Sequence, residues 1–280
     1  MLTEASPRQP LAIAADAPAV RFEHVTLAFD EKVILEDVSF TVLPGRTKII
    51  LGASGAGKSL SLKILLGLLK ADGGEVWVDG HRVDRLTEQD MMAVRSNIGM
   101  VFQEGALFDS LTVRENVGYR LYEETNMPLA QVDRRVEEVL GFIGLREFMD
   151  RMPSALSGGQ RRRVAIARAM ASKPQILLYD EATTGLDPIT ATTVDDEIIK
   201  LRDLENVTSI VVTHQLRDAF YVATHVAVRD DSGRIQIETA GPEKEQETEF
   251  MMLRDGLIVF AGDADALRHS TDDYIRTFLS

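Results

Sequence analysis

The sequence predicts an α/β protein with a core parallel sheet, an antiparallel β subdomain and an inserted helical subdomain. Short apolar runs with β-branched residues alternate with helical stretches along much of the chain, which is typical of a largely parallel sheet. One such run leads into a glycine-rich loop that is followed by an apolar helix. A mostly helical block, at about residues 104–172, interrupts the alternation. These three observations define the predicted fold class.

Composition narrows the possible functions. The chain has 280 residues, 45% of them hydrophobic, and a net charge of −13. A general nucleic-acid binder needs a basic surface, so an acidic chain is a poor candidate for that function. The negative net charge also disfavours direct adsorption to anionic lipid headgroups. The absence of cysteine excludes disulfides, thiolate metal sites and a cysteine nucleophile. No apolar run approaches the roughly 20 residues of a membrane span, and no secretory signal is evident. We therefore expect a soluble intracellular protein.

The elements follow in order along the chain. Residues 1–18 are rich in Ala and Pro without periodicity and predict a flexible tail. The next two apolar runs are separated by the turn-like Asp30–Lys32 and predict paired strands. Apolar periodicity predicts strands at Phe22–Phe29, Val33–Leu43, Thr47–Leu51, Glu75–Asp79, Ile98–Gln103, Gln175–Tyr179 and Ser209–Thr213, and helices at Leu60–Leu69, Leu129–Leu140, Gly159–Ala171 and Ile189–Leu204.

The segment Arg229–Glu249 departs from this pattern because it holds seven acidic and three basic residues. Such a charge run predicts a solvated hairpin tip or loop, and we treat residues 229–249 as an acidic insertion. Phe250–Phe260 then predicts a hairpin that turns at Asp255-Gly256. Residues 269–280 predict a short C-terminal helix.

A glycine-rich loop after the third predicted strand indicates a nucleotide site. Its glycines allow successive backbone N–H groups to turn toward phosphate oxygens, and the helix that follows adds the positive end of its dipole. The lysine of this pattern is expected to reach the β- and γ-phosphates of ATP, and the serine hydroxyl to coordinate Mg²⁺. The loop comprises Gly52, Ala53, Ser54, Gly55, Ala56, Gly57, Lys58 and Ser59.

A second, mostly apolar strand ends in two adjacent carboxylates, Asp180 and Glu181. By itself this ending is typical of a solvated strand end. Downstream of a phosphate-binding loop, it predicts that Asp180 enters the Mg²⁺ shell. Glu181 is then expected to polarise the water that attacks the γ-phosphate.

The pentapeptide Leu156-Ser157-Gly158-Gly159-Gln160 resembles the signature of the ABC (ATP-binding cassette) ATPases. Ser157 can cap a helix, while Gly158 and Gly159 bare its N-terminal N–H groups for an anion. The resemblance, which covers about residues 20–268, implies a single ABC ATPase domain over residues 19–268. It also implies that Ser157–Gln160 binds the γ-phosphate held by a second copy, in a head-to-tail dimer. The following Arg161–Arg163 has an alternative interpretation as a solvated helical face, with Val164, Ile166 and Ala167 packing inward.

Other positions match further motifs of the same family. Gln103 matches the glutamine that touches Mg²⁺ and the attacking water, and Asp187 lies in the loop through which subunits sense each other. His214 matches the switch histidine that contacts the γ-phosphate, although a lone histidine is more often structural. Phe29 occupies the place of the aromatic that stacks on adenine; its alternative is a core strand residue. Ala182 departs from the family, since most relatives carry Pro there, so the loop after Glu181 is expected to be less rigid.

The run Gly105–Val113 looks like the ATPases of the Mla/Mce lipid-transport systems. Amino-acid importers resemble this stretch but usually carry Pro-His where this chain has Asp109-Ser110. Against the lipid group, Gln160 stands where that group often has Met. The resemblance implies an ATPase for phospholipid transport, with a polar-solute importer as the alternative. A soluble ABC protein of DNA repair or of ribosomes is a further class, but it usually has two cassettes or a long coiled coil, neither of which is seen here.

Partners also follow from the resemblance. A polytopic membrane permease is expected to contact the helical subdomain, and an MCE-domain lipid-binding protein to join the same complex. The alternative for Leu107, Phe108 and Leu111 is ordinary packing inside the helical subdomain. The expected location is the cytoplasmic side of the inner membrane, where the chain is peripheral and held by its protein partner.

Overall fold

The computed structural model of the chain describes residues 17–280, so nearly all of the tail predicted for residues 1–18 lies outside the described residues. The strands of the described part are β1 Val20–Phe29, β2 Lys32–Val42, β3 Thr47–Leu51, β4 Gly73–Val78, β5 His81–Arg82, β6 Ile98–Val101, β7 Ile176–Asp180, β8 Thr208–Val212, β9 His225–Arg229, β10 Ile235–Thr239, β11 Thr248–Arg254 and β12 Leu257–Gly262. The helices are α1 Lys58–Leu65, α2 Glu88–Ser96, α3 Val113–Glu124, α4 Leu129–Phe142, α5 Gly158–Met170, α6 Pro188–Glu205, α7 Leu216–Thr224, α8 Pro242–Glu245, α9 Ala264–Arg268 and α10 Asp273–Leu279, with 3-10 turns at Arg146–Phe148 and Pro153–Ala155.

The core sheet has the strand order β12-β11-β3-β8-β7-β6. Its strands from β11 to β6 are parallel, and only β12 runs antiparallel to its neighbour β11. Strands β3 and β8 are buried along their whole length, as expected for nearly continuous apolar runs covered on both faces. The predicted parallel core sheet is confirmed. Its order places the carboxyl ends of β3, β8 and β7 side by side.

A second, antiparallel sheet has the order β2-β1-β4-β5. Strand β1 alternates buried with half-buried residues, with one interruption at His24. This is the period expected when one face of a sheet covers a core. On the buried face, the rings of Phe22 and Phe40 stack with their centroids 4.5 Å apart. The predicted antiparallel β part is therefore also confirmed.

Helices α3, α4 and α5 pack against one another. Helix α4 buries Val132, Val136, Val139 and Leu140 completely, a spacing that places them on one face. Helix α3 begins with a capping box between Thr112 and Glu115, which satisfies backbone groups at its first turn. These helices form the helical part of the confirmed fold class.

The acidic segment is more ordered than a loop. Strand β10 pairs with β9, and it alternates half-buried Ile235 and Ile237 with exposed Gln236 and Glu238. The sequence interpretation missed this strand because the charge of the segment masks the alternation. After β10, Lys244 on α8 contacts Asp203 at 3.0 Å and also pairs with Glu247.

Candidate functional site

The glycine-rich loop joins β3 to α1, and two of its glycines are sterically required. Gly52 and Gly57 have φ values of 150° and 95°, a region that favours glycine. A Cβ on Gly52 would lie 2.5 Å from the carbonyl oxygen of Leu253, and a Cβ on Gly57 would lie 2.7 Å from Leu35 Cδ2. A Cβ on Gly55 would meet open space. The loop is thus packed tightly at its two ends, while its middle faces outward.

Lys58 begins α1 and lies beneath this loop. Its side chain is only 4% exposed, and Nζ donates hydrogen bonds to the carbonyl oxygens of Gly52 at 2.8 Å and Ala53 at 3.1 Å. Nζ also lies 3.6 Å from Glu181 Oε1. Burial lowers the pKa of Lys58, and the nearby Glu181 carboxylate opposes this shift. The cation is therefore held at the base of the loop by carbonyl dipoles and by one carboxylate.

Ser59 and Asp180 meet beside Lys58. The Ser59 hydroxyl donates a hydrogen bond of 2.6 Å to Asp180 Oδ1 at the end of β7. Burial raises the pKa of Asp180; the Ser59 hydrogen bond opposes this rise and the charge of Glu181 reinforces it. A nearby cation would favour the ionised form of such a carboxylate. Hydroxyl and carboxylate oxygens at one point are the hard ligands that Mg²⁺ prefers, so this pair fits Mg²⁺.

Glu181 follows β7 and is held on several sides. Its backbone N–H donates to the carbonyl of Val212 on β8 at 2.9 Å. Oε2 accepts a hydrogen bond of 3.1 Å from the Thr184 hydroxyl and lies 3.1 Å from His214 Nδ1. The His214 contact has the distance of a hydrogen bond but lacks its alignment, so we treat it as an electrostatic contact. Burial raises the pKa of Glu181, but the proximity of His214, Thr184 and Lys58 outweighs it, and the net shift is downward.

Two predicted residues lie outside this cluster. Phe29, at the end of β1, is 46% exposed, so it is not a core strand residue. Gln103 lies two residues beyond β6 and is exposed. Its strand ends earlier than predicted, and no side chain between residues 17 and 280 hydrogen-bonds to the Gln103 amide group. In the described chain, no hydrogen bond joins Gln103 to the Ser59–Asp180 pair.

The segment Ser157–Gln160 forms the start of α5. Exposed Ser157 caps the helix: its hydroxyl accepts from the Gln160 N–H at 3.2 Å, and its own N–H donates to Gln160 Oε1 at 2.8 Å. Gly159 is buried, and a Cβ there would lie 2.1 Å from Thr190 Cγ2. Asp187 caps α6 through the N–H groups of Ile189 and Thr190. Within the described chain, no hydrogen bond or ion pair joins the side chains of Ser157, Gln160 or Asp187 to the Lys58–Glu181 cluster.

The arginines after this segment are not a simple solvated face. Arg162 is buried and donates to the Thr184 carbonyl at 3.3 Å, while half-buried Arg163 donates to the Ile143 carbonyl at 3.2 Å. Only Arg161 is exposed. The alternative of a solvated helical face is therefore wrong for Arg162 and Arg163, because their guanidinium groups satisfy backbone carbonyls of neighbouring segments. The inward packing predicted for Val164, Ile166 and Ala167 is confirmed, since all three are fully buried.

The sequence did not predict a role at the site for two residues, Thr184 and Arg162. A signal for Thr184 was its spacing, because a hydroxyl three residues after a carboxylate can turn back toward it. Arg162 had no usable signal, since its contact joins segments that are distant in sequence. Both become visible only when α5 and the loop after β7 are placed together.

The family model for the ABC transporter family, described as "ABC transporter", matches residues 35–184, more than half of the chain. The chain belongs to the ABC transporter family. A solved structure of the ATP-binding cassette MJ0796, dimeric and in a post-hydrolysis state with ADP and Pi, is 29% identical with a TM-score of 0.71, covering 87% of this chain and 98% of that chain. The chain therefore contains an ABC ATPase domain, an ATP-binding fold whose reaction is the hydrolysis of ATP.

Three relatives illustrate the range of proteins to which this chain is similar. The chloroplastic protein TRIGALACTOSYLDIACYLGLYCEROL 3 of Arabidopsis thaliana is 43% identical, covering 67% of this chain and 59% of that protein. The methionine import ATP-binding protein MetN of Carboxydothermus hydrogenoformans is 40% identical over 72% of this chain and 59% of that protein. The intermembrane phospholipid transport system ATP-binding protein MlaF of Haemophilus influenzae is 35% identical over 76% of this chain and 80% of that protein.

The chain spans about three-fifths of the length of the first two of these relatives, 59% in each case. Within residues 17–280, none of the helices combines the length and the apolar composition needed to cross a bilayer.

Proposed function

We propose that this chain is the ATP-hydrolysing subunit of an ABC transporter that moves phospholipid through a membrane permease partner. The observation that carries the ATPase part is the convergence of one cation, one hydroxyl–carboxylate pair and one carboxylate–histidine pair at the ends of β3, β7 and β8. Ligand sites at the carboxyl ends of neighbouring parallel strands are the rule in α/β proteins.

ATP binding is assigned to the loop Gly52–Ser59. Its N–H groups and the start of α1 would surround the phosphates, and Lys58 would contribute a positive charge at the β- and γ-phosphates. The exposed ring of Phe29 would stack on the adenine. Because Lys58 is already desolvated, its charge would act on the phosphates with little screening by water.

Mg²⁺ would be held by Ser59 and Asp180, with Gln103 assigned to the open side of its shell. When bound, the ion neutralises charge that develops on the phosphate oxygens. Asp180 must be ionised to serve as a ligand. Since its pKa is raised by burial, we expect its binding competence to weaken as the pH falls.

Hydrolysis is assigned to Glu181, His214 and Gln103. Glu181 would accept a hydrogen bond from the attacking water and draw its proton. Its lowered pKa keeps it ionised at neutral pH. His214 would contact the γ-phosphate and, through its proximity to Oε2, keep the carboxylate oriented.

A second copy of the chain would complete each site. Ser157, Gly158, Gly159 and Gln160 of one copy would face the phosphates bound by the other, with Asp187 between the two subunits. The exposure of Ser157 and the absence of a hydrogen bond from it to its own Lys58–Glu181 cluster support this arrangement, as does the dimeric state of the related cassette. ATP would favour the closed dimer because only that state offers both halves of its binding site.

A permease helix would dock in a groove beside the helical part. This cavity of about 350 Å³ is lined by residues including Phe102, Phe108 and Tyr119. Each of these three rings is at least 40% exposed, and the rings of Phe108 and Tyr119 lie 4.7 Å apart. Exposed aromatic clusters mark protein contact sites. The partner would hold the chain peripherally at the cytoplasmic side of the inner membrane.

The lipid assignment is supported by the run Gly105–Val113, which resembles Mla/Mce ATPases, and by the MlaF match over 80% of that protein. An MCE-domain lipid-binding protein would then belong to the complex. The 40% identity to MetN favours a second candidate, the ATPase of a polar-solute importer. Both candidates use the same ATP site and differ in the partner proteins.

Co-purification separates these candidates. The full chain, affinity-tagged in its native host, is isolated from detergent-solubilised membranes, and its partners are identified by mass spectrometry. We expect a polytopic permease together with an MCE-domain protein. A periplasmic solute-binding protein in place of the MCE-domain protein would support the importer and contradict the lipid assignment.

The same experiment tests the docking groove. Phe108→Asp should lose the permease, because a carboxylate cannot be buried against apolar side chains without a partner. Leu129→Asp is the matched control, since Leu129 is 70% exposed and lies outside the groove. Equal retention of the permease by both variants would place the contact elsewhere.

A further inference from the structure

The backbone at Glu181 adopts an unfavourable conformation. Its φ is 49°, in the left-handed region that costs a non-glycine residue about 1 kcal/mol. The residue that follows is Ala182, so no proline ring restricts the loop at that point. Something else must hold the loop, because a strained residue persists only where its surroundings fix it.

Thr184 supplies two of the bonds that fix Glu181. Its N–H donates to the Glu181 carbonyl at 3.1 Å. Its hydroxyl donates to Glu181 Oε2, also at 3.1 Å. A hydroxyl has one proton to give, and this one is given to the carboxylate. The bond selects one orientation of the carboxylate, with Oε2 toward Thr184 and Oε1 toward Lys58.

Arg162 in turn holds Thr184. Its guanidinium is buried on α5 and donates through Nη2 to the Thr184 carbonyl at 3.3 Å. Its Nε is buried and has no hydrogen-bond partner within residues 17–280, and the Glu104 carboxylate is the anion that acts on it. Burying a guanidinium is unfavourable unless it is compensated. Among residues 17–280, the one carbonyl to which the Arg162 guanidinium donates is that of Thr184.

We propose that Thr184 is a positioning residue for Glu181 and that Arg162 keeps Thr184 in place. This inference rests on the proposed role of Glu181 in hydrolysis. Arg162 lies on the same helix that Ser157 caps, so the link connects the segment presented to a second copy with the carboxylate of the chain's own site. The link joins α5, the loop after β7 and Glu181 through hydrogen bonds alone.

Several polar groups face the Glu181 carboxylate. Lys58 on α1, Asp180 on β7 and His214 after β8 are the charged or titratable ones, and the Thr184 hydroxyl is the uncharged donor. Loss of the Thr184 hydroxyl leaves Glu181 Oε2 without the hydrogen bond that selects its orientation.

Thr184→Val and Thr184→Ser test the proposal, since Val keeps the shape and Ser keeps the hydroxyl. We measure kcat and KM for ATP in both variants. Thr184→Val should lower kcat about tenfold, the effect of losing one hydrogen bond to a charged group. KM should change less than about twofold. Thr184→Ser should restore the wild-type kcat. Wild-type kcat in Thr184→Val, or equal loss in Ser and Val, would overturn the proposal.

Arg162→Gln tests the second step, with Arg161→Gln as the matched control because Arg161 is exposed and binds its own helix start at the Leu156 carbonyl. Arg162→Gln should lower kcat with little change in KM, and Arg161→Gln should change neither. If Arg162→Gln does not fold, the Thr184 pair still decides the proposal. Slow hydrolysis in Glu181→Gln beside normal hydrolysis in Thr184→Val would overturn this inference alone, whereas normal hydrolysis in Glu181→Gln would overturn the proposed function.

Discussion

The phosphate-binding loop and the Ser157–Gln160 segment are both glycine-rich starts of helices, yet their surroundings differ. Around the loop, Lys58 is buried and lies 3.6 Å from Glu181, and Ser59 bonds to Asp180 at 2.6 Å. The capping polar groups of Ser157–Gln160 bond only to one another, and Ser157 is exposed. The side chains around the loop Gly52–Ser59, which we call the inner region, converge on one centre inside the chain. The segment Ser157–Gln160, which we call the outer region, presents its helix start outward.

This difference separates a site that is largely built from one that is incomplete. Helix starts bind anions through bare N–H groups, and both regions have that capability. Only the first region adds a buried cation, an oxygen pair and a carboxylate. We therefore expect the second region to contribute to chemistry when another molecule brings its phosphates, which is the basis of the dimer proposed above.

The largest effect on ATP hydrolysis is expected from Glu181→Gln, which changes the inner region. The amide keeps the shape but cannot take a proton, so kcat should fall by about 10²–10⁴. ATP binding should persist and the dimer should last longer, as measured by size exclusion with ATP. Glu243→Gln on exposed α8 is the charge-matched control. Near-normal turnover in Glu181→Gln would remove that residue from the mechanism.

A somewhat smaller effect is expected from Ser157→Arg, which alters the outer region. The bulky side chain would block the approach of a second copy's phosphates, and hydrolysis should fall by about 10²–10³. The affinity of the monomer for a fluorescent ATP analogue should stay near wild type. Parallel loss of affinity would show that Ser157 serves its own chain's nucleotide. Thr112→Arg, at the other capping box, controls for the lost cap.

The smallest effect, a change in stability, is expected from Gly159→Ala, which tests how tightly the helix start of the outer region is packed. Its Cβ would lie 2.1 Å from Thr190 Cγ2, so Thr190 and the α6 cap must shift. Overpacking of this kind lowers the free energy of unfolding by about 1–3 kcal/mol. Gly158→Ala is the control, because its nearest contact, at 3.4 Å, is ordinary. Urea denaturation measures the stability of both variants. Equal stabilities would mean that Thr190 moves aside at little cost in free energy.

Much of the inner region was predictable because its signals are local. The loop Gly52–Ser59 and the pair Asp180–Glu181 each stand at the end of an apolar strand, and parallel strands bring such ends together. The capping role of Ser157 follows in the same way from the residues next to it. For these residues, the identity and the immediate context were enough to place the side chains.

The rest depends on contacts that no local pattern encodes. Arg162 meets Thr184 across 22 positions, and three consecutive arginines look alike until the packing of α5 buries one of them. Gln103 was placed on its strand by apolar character, but β6 ends at Val101. Strand β10 was hidden by the acidic residues of the surrounding segment, of which only Glu238 lies within the strand. In each case, tertiary packing decides between patterns that the sequence alone leaves equivalent.

The position of β3 has a consequence for how the chain folds. This strand, which leads into the phosphate loop, pairs with β8 on one side and β11 on the other, and Lys48 meets Glu249 across 201 positions. Contacts of such sequence separation form slowly. During synthesis, Ile49 and Ile50 are therefore made long before the strands β8 and β11 with which they pair. Until then they form an unpaired apolar strand that is prone to aggregation. The segment that begins the ATP site is thus made early but can acquire its final neighbours only late.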